Sequence, residues 1–558
     1  MNFKLCSSFL AVLCVVALAV SAASCSRTPV VALDYSTFEG FTVGNVSQYL
    51  GMPFAAPPVG QLRFRKPSPP LHKRGVHRAT EFGPACPQQA LSPLPGIDFA
   101  GNYSSISEDC ETRCFRLSRM PRLIYNFRPL NQRGFEIGDA TDTPASTLVE
   151  RSIALGQPVI VVIPNYRING LGFLAGREVL EAGVSNLGLH DQRFALEWIQ
   201  KYISDFGGDP HKVTIWGVSA GAVSVALHLL NPNGNSLFHA AFMESGGPLQ
   251  IPKVSDGQKE YDAIVDTVGC THHRDTLACL RTVPLNALTA AINETRDIFS
   301  FSSLNLAWIP RVDGDLIKEE PYTLIRRKAY VKVPFITGNC DDEGTLFSLS
   351  NMNITFVDNY LPSATAEQIQ RIANVYPDDP SQARSHFAIA PTMTLIQKQG
   401  SPFDTGTANA LTPQFKRLAA VQGDIFFQGP RRFLLETASE TQNAWGYLNK
   451  QGKTSSSLGA SHASDGGEWF GSRNPTEPFA VGAMINFINT FDPNVPANPH
   501  CVPKSSLFWP QWQASTGVPI LVFSDPSKLS ISNDTFRAEP MRVLNEILSL
   551  GAIESTPL

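Results

Sequence analysis

A chain of 558 residues with 43% hydrophobic and 17% charged side chains has an ordinary globular composition, which excludes a disordered or membrane-embedded protein. A formal charge of −4 leaves no basic stripe for nucleic acid. No fixed-period repeat and no low-complexity linker divides the chain, so one domain over residues 23–558 is the simplest reading.

The N-terminus sets the compartment. Lys4 precedes an apolar run over residues 9–20, and Val20-Ser21-Ala22 is a small-x-small site, so residues 1–22 are expected to be a secretory signal peptide. No later stretch reaches the roughly 20 apolar residues of a membrane span, so no integral membrane segment is expected after its removal. An extracellular destination gives the remaining cysteines an oxidising environment in which some should pair. Five Asn-x-Ser/Thr sequons, at Asn45, Asn102, Asn293, Asn353 and Asn533, are candidate glycosylation sites and should lie on the surface.

Continuous apolar runs bounded by turn residues occur at 159–163, 213–216, 240–243, 333–337 and 518–523. Runs without alternation suit strands buried on both faces, as in a parallel sheet. Between the first two, residues 191–203 carry a partial helical period in Phe194, Leu196, Trp198, Ile199 and Ile203, which stops before Gly207-Gly208-Asp209-Pro210. The β-α-β-α order predicts a doubly wound α/β fold.

The run at 213–216 leads into Gly217-Val218-Ser219-Ala220-Gly221 and then into a helix-like stretch over residues 222–230. A serine on a sharp strand-to-helix turn is held exposed and strained, and small neighbours let the helix pack close, so Ser219 is the candidate nucleophile. A serine hydroxyl needs a histidine to take its proton and a carboxylate to orient that histidine. After the run at 333–337, Asp341, Asp342 and Glu343 compete for the acid by pattern alone. His462, flanked by small residues late in the chain, is the candidate base. Cys270 and Cys279 close a short loop containing His272 and His273. Adjacent histidines there read as solvated rather than as zinc ligands, and no metal or cofactor is expected.

The stretch Phe206-Gly-Gly-Asp-Pro-His-Lys-Val-Thr-Ile-Trp-Gly-Val-Ser-Ala-Gly-Ala222 resembles the signature of the type-B carboxylesterase/lipase family, which includes fungal lipases and cholinesterases. Ser107-Glu108-Asp109-Cys110, Asn165-Tyr166-Arg167, Asp191-Gln192-Arg193 and the run 341–347 match it in family order. The resemblance implies an α/β-hydrolase fold, with a large, mostly parallel central sheet and helices on both faces. It implies a secreted serine ester hydrolase acting on a small-molecule or lipid ester through an acyl-enzyme. The triad it implies is Ser219, Glu343 and His462, with disulfides Cys86–Cys110 and Cys270–Cys279. Val218 stands where the family has Glu. In the fungal lipases the Cys86–Cys110 loop carries a lid; here Pro93 and Pro95 break it too often for a long amphipathic helix, which favours an esterase over an interfacial lipase.

The resemblance stops at Cys110 and resumes at Gly134-Phe135-Glu136-Ile137-Gly138. Residues 111–133 hold six arginines and no glycine, where the family has an apolar central strand and a glycine run whose N–H groups bind the oxyanion. The oxyanion donors expected here are the N–H groups of Gly134, Ala220 and Arg133, the last bearing a long side chain where the backbone must approach closely, and a lost donor costs about 2.7–4 kcal/mol of barrier. Either residues 111–133 are a misread stretch in a gene for an ordinary esterase, which is the expectation, or the chain has an impaired oxyanion hole and is weakly active or binding-only.

Overall fold

The computed structural model describes residues 28–94, 97, 105–117, 122–126, 134–142, 145–232, 236–350, 360–361, 364–376, 411–412, 414–453, 455–471, 479–498, 507–525 and 528–554. Its strands in chain order are β1 (Val30–Ala32), β2 (Thr37–Glu39), β3 (Phe41–Val43), β4 (Val46–Pro53), β5 (Val76–Arg78), β6 (Thr112–Leu117), β7 (Arg122–Asn126), β8 (Val159–Pro164), β9 (Val213–Val218), β10 (Ala240–Glu244), β11 (Phe335–Cys340), β12 (Ala444–Lys450), β13 (Pro519–Ser524) and β14 (Lys528–Asn533). β1, β2 and β5 form a small sheet. The other strands form one of 11 strands in the order β14-β13-β12-β11-β10-β9-β7-β8-β6-β4-β3.

From β8 through β7 and β9 to β13 every neighbour is parallel; β6, β4 and β3 at one edge and β14 at the other are antiparallel. The uninterrupted apolar runs follow from burial on two faces. In β8, Ile160 and Val162 join one hydrophobic cluster with Ile215, Val225 and Leu196, whereas Val159, Val161 and Ile163 join another with Trp216, Phe242, Trp445 and Phe487. Helix Leu187–Tyr202 and helix Ala220–Leu229 pack on the first face, and helix Phe479–Thr490 packs on the second. A strand covered on both sides has no position for alternating polar residues.

The arginine-rich interval takes the place where the family resemblance implies an apolar central strand. Its backbone does supply strands: β6 runs between β4 and β8, and β7 fills the central position between β8 and β9, with Leu123 opposite both Ile160 and Val213. Leu123-Ile124-Tyr125 is a short run of good strand formers, and a parallel ladder is made by backbone groups that every one of these residues carries. Arg133 lies outside the described residues.

Both expected disulfides are present, Cys86–Cys110 and Cys270–Cys279, and Cys340 is a buried free thiol. Asn45, Asn293 and Asn533 are exposed, while Asn102 and Asn353 lie outside the described residues. No helix among the described residues is long and apolar enough to cross a membrane.

Candidate active site

β9 ends at Val218, and Ser219 turns the chain into helix Ala220–Leu229 with φ 56° and ψ −122°. A serine with positive φ is strained and persists only where its surroundings dictate it. Here the strand end and the first helical turn nearly touch: a Cβ on Gly217 would run into the Gly221 backbone, and one on Gly246 would stand 2.7 Å from Ser219 O. Ser219 N–H donates to Glu244 O at 2.9 Å, tying the turn to the end of β10. The following amide, of Ala220, begins the helix, where N–H groups have no carbonyl partner of their own.

β11 leads into the three competing acids, and each meets a different group. Asp341 pairs with Lys453 and, at 3.5 Å, with Lys450. Asp342 accepts from Ala460 N–H through Oδ2 at 2.8 Å and donates its own N–H to Ala460 O at 3.0 Å. Glu343 is the one that meets the histidine: Oε2 lies 2.5 Å from His462 Nδ1, while Oε1 accepts from Cys340 N–H at 2.7 Å. A carboxylate on Nδ1 places the imidazole proton there and leaves Nε2 as the free base. Among the described residues Ser219 and His462 share no hydrogen bond; such contacts are often long in ligand-free enzymes.

The loops carrying Glu343 and His462 are joined by a parallel bridge between Asp342 and Ser461 and by the Thr345 hydroxyl donating to Leu458 O at 2.7 Å. Two rings flank the imidazole, Phe347 with centroids 5.0 Å apart and Phe427 at 4.7 Å. Neither was singled out from the sequence. Phe347 belongs to the matched run 341–347, a signal that was available; Phe427 comes from a π-helical turn, Asp424–Gln428, that no sequence pattern announces.

Gly134 and Phe135 both have positive φ, 59° and 64°, and a Cβ on Gly134 would press on Ile298 and Leu306. Val218, where the family carries Glu, is buried, and Glu244 on the adjacent β10 brings a buried carboxylate that accepts from Trp216 Nε1 at 3.1 Å.

A doubly wound sheet with an elbow serine after β9, a Glu–His pair after β11 and β12, and this loop order defines an α/β-hydrolase that cleaves carboxylic esters. The chain belongs to the carboxylesterase family, whose sequence model matches residues 27–517. It is 35% identical to "Secreted lipase 1" of Botryotinia fuckeliana (strain B05.10) over 88% of either chain. It is 34% identical to "Lipase 4" of Diutina rugosa, over 84% of this chain and 86% of that one. Among solved structures, Aspergillus niger EstA superposes with a TM-score of 0.74 at 24% identity, over 94% of this chain and 98% of that one, and so speaks for the fold. The PNB esterase superposes with a TM-score of 0.70 at 25% identity, over 92% of this chain and 99% of that one.

Proposed function

We propose that the protein is a secreted esterase, released by cleavage after Ala22 as a single domain over residues 23–558, that hydrolyses short-chain esters with Ser219 as nucleophile, His462 as base and Glu343 as its orienting acid. The observation that carries this is the contact between Glu343 and His462, buried beside two aromatic rings. Ser219 Oγ attacks the ester carbonyl carbon as its proton passes to His462 Nε2, and the carbonyl oxygen becomes the oxyanion facing the N–H groups of Ala220 and Gly134. Collapse expels the alcohol, which takes the proton from His462. Water then repeats the sequence on the acyl-enzyme, releasing the acid and restoring the serine.

Secretion is supported by the leader-like residues 1–22 and by relatives such as "Secreted lipase 1". The exposed Asn45, Asn293 and Asn533 are the sequons open to glycosylation. The preference for short esters over a lipid interface rests on Pro93 and Pro95, and on Leu94 packing inward with Ile298, Phe299, Phe347 and Phe427. A binding-only protein has no use for a buried carboxylate on a histidine, and that reading is not favoured.

Ser219→Ala should lower turnover of p-nitrophenyl butyrate by at least about 10⁴-fold, as loss of a triad nucleophile does. A variant retaining more than a trace of wild-type turnover contradicts the assignment.

A further inference from the structure

The turn that presents Gly134 is held by a side chain that the reaction steps leave unused. Glu136 is fully buried; its Oε2 accepts from Ile298 N–H at 2.9 Å, and Oε1 has no hydrogen-bond partner among the described residues. Ile298 itself lies over Gly134, its Cδ1 2.9 Å from where a Cβ would stand. The same turn is tied to the Cys86–Cys110 loop, since Gln89 N–H donates to Glu136 O at 3.1 Å and Gly138 N–H donates to Gln88 Oε1 at 2.5 Å. Asp297 closes the circuit: it accepts from Ser92 N–H at 3.1 Å and from the Ser92 hydroxyl at 2.6 Å.

We propose that Glu136 is a positioning residue for ester hydrolysis, its carboxyl group fixing the Gly134 turn against residues 297–299 and, through them, against the Cys86–Cys110 loop. The proposal rests on the reading of the site as a serine esterase. Two successive residues with positive φ do not hold their shape unaided, and an oxyanion donor contributes only if it is already aimed when charge develops. Burial pushes the Glu136 carboxyl well above the ordinary carboxylate range, the hydrogen bond from Ile298 N–H pulls it back, and the Asp297 charge adds to the rise.

The test uses the full chain with p-nitrophenyl butyrate. Glu136→Leu fills the volume without an acceptor for Ile298 N–H and should lower kcat about 100-fold, the effect of one misplaced oxyanion donor, with KM little changed. Glu136→Gln restores a neutral acceptor and should recover most of kcat. Amide exchange at residues 134–137 reads the turn whatever the rate of turnover: it should quicken in the Leu variant and not in the Gln variant. Wild-type kcat and exchange in Glu136→Leu, or a Gln variant as impaired as the Leu variant, would each overturn the proposal. Turnover that survived Ser219→Ala would instead overturn the esterase reading beneath it.

Discussion

Asp341, Asp342 and Glu343 are neighbours in sequence with three different fates, because their partners come from a loop more than a hundred residues further on. Nothing local distinguishes them, so pattern alone left them equal and only the family likeness favoured Glu343. A fourth acid, Glu111, is the first residue of the arginine-rich interval, and its placement is costly. Arg167 binds Asp191 through Nε at 2.8 Å and Nη2 at 2.5 Å, leaving Glu111 Oε1 at 3.2 Å from Nε and both Glu111 oxygens buried without a hydrogen bond. Burial and then the Asp191 charge push Glu111 well above the ordinary carboxylate range, against the pull of Arg167. With the folded value above the unfolded one, the stability that protonated Glu111 preserves is complete below the ordinary carboxylate value and is lost as pH rises toward the folded value. Glu111→Leu should therefore stabilise the fold by about 1–3 kcal/mol at neutral pH, the cost of an unsatisfied buried group. Thermal melting at pH 5 and pH 8 checks this: the gain should be larger at pH 8, and a lower Tm in the variant would refute it.

At the scale of elements, β8, β9, β10, β11 and β13 were legible because each contains or overlaps a continuous apolar run, and the elbow because its glycines are demanded by the contact of strand and helix; β7 and β12, which carry Arg122 and Asn126 or Asn449 and Lys450, were not. The π-turn Asp424–Gln428 was not. It interrupts a helical stretch between helix Phe415–Gly423 and helix Gly429–Ala438, and one extra residue per turn leaves no mark on hydrophobic period. Buried polar contacts hold it in place: Asp424 receives Arg537 Nη2 at 2.7 Å and the Tyr376 hydroxyl at 2.7 Å, and Gln428 Nε2 donates to Cys340 O at 2.7 Å. The turn thus delivers Phe427 to the imidazole and Gln428 to the strand that ends before Glu343. Phe427→Ala should cost about 3–5 kcal/mol of stability, as large-to-small changes in cores do, and should reduce kcat by loosening His462. Melting and kinetics read together check it; unchanged kcat in a destabilised protein would confine Phe427 to packing.

Across the whole molecule, the parallel strands end on one edge of the sheet, and the chain spends its loops there. Ser219 follows β9, Glu343 follows β11 and His462 follows β12, so three residues far apart in sequence become neighbours in topology. Loop order was readable from the sequence, and from β9 to β13 the sheet keeps chain order; what was not readable is that β7 enters between β8 and β9. Residues 122–126 take that central position although the interval 111–133 holds six arginines and no glycine. Fold and candidate nucleophile are therefore secured by different parts of the chain. The most direct test of the central claim is peptide mapping after reaction with diethyl p-nitrophenyl phosphate, which phosphorylates a serine only where a base and oxyanion donors activate it. A single adduct on Ser219, absent from His462→Ala, is the result predicted. An unlabelled protein, or an adduct on another residue, would contradict it.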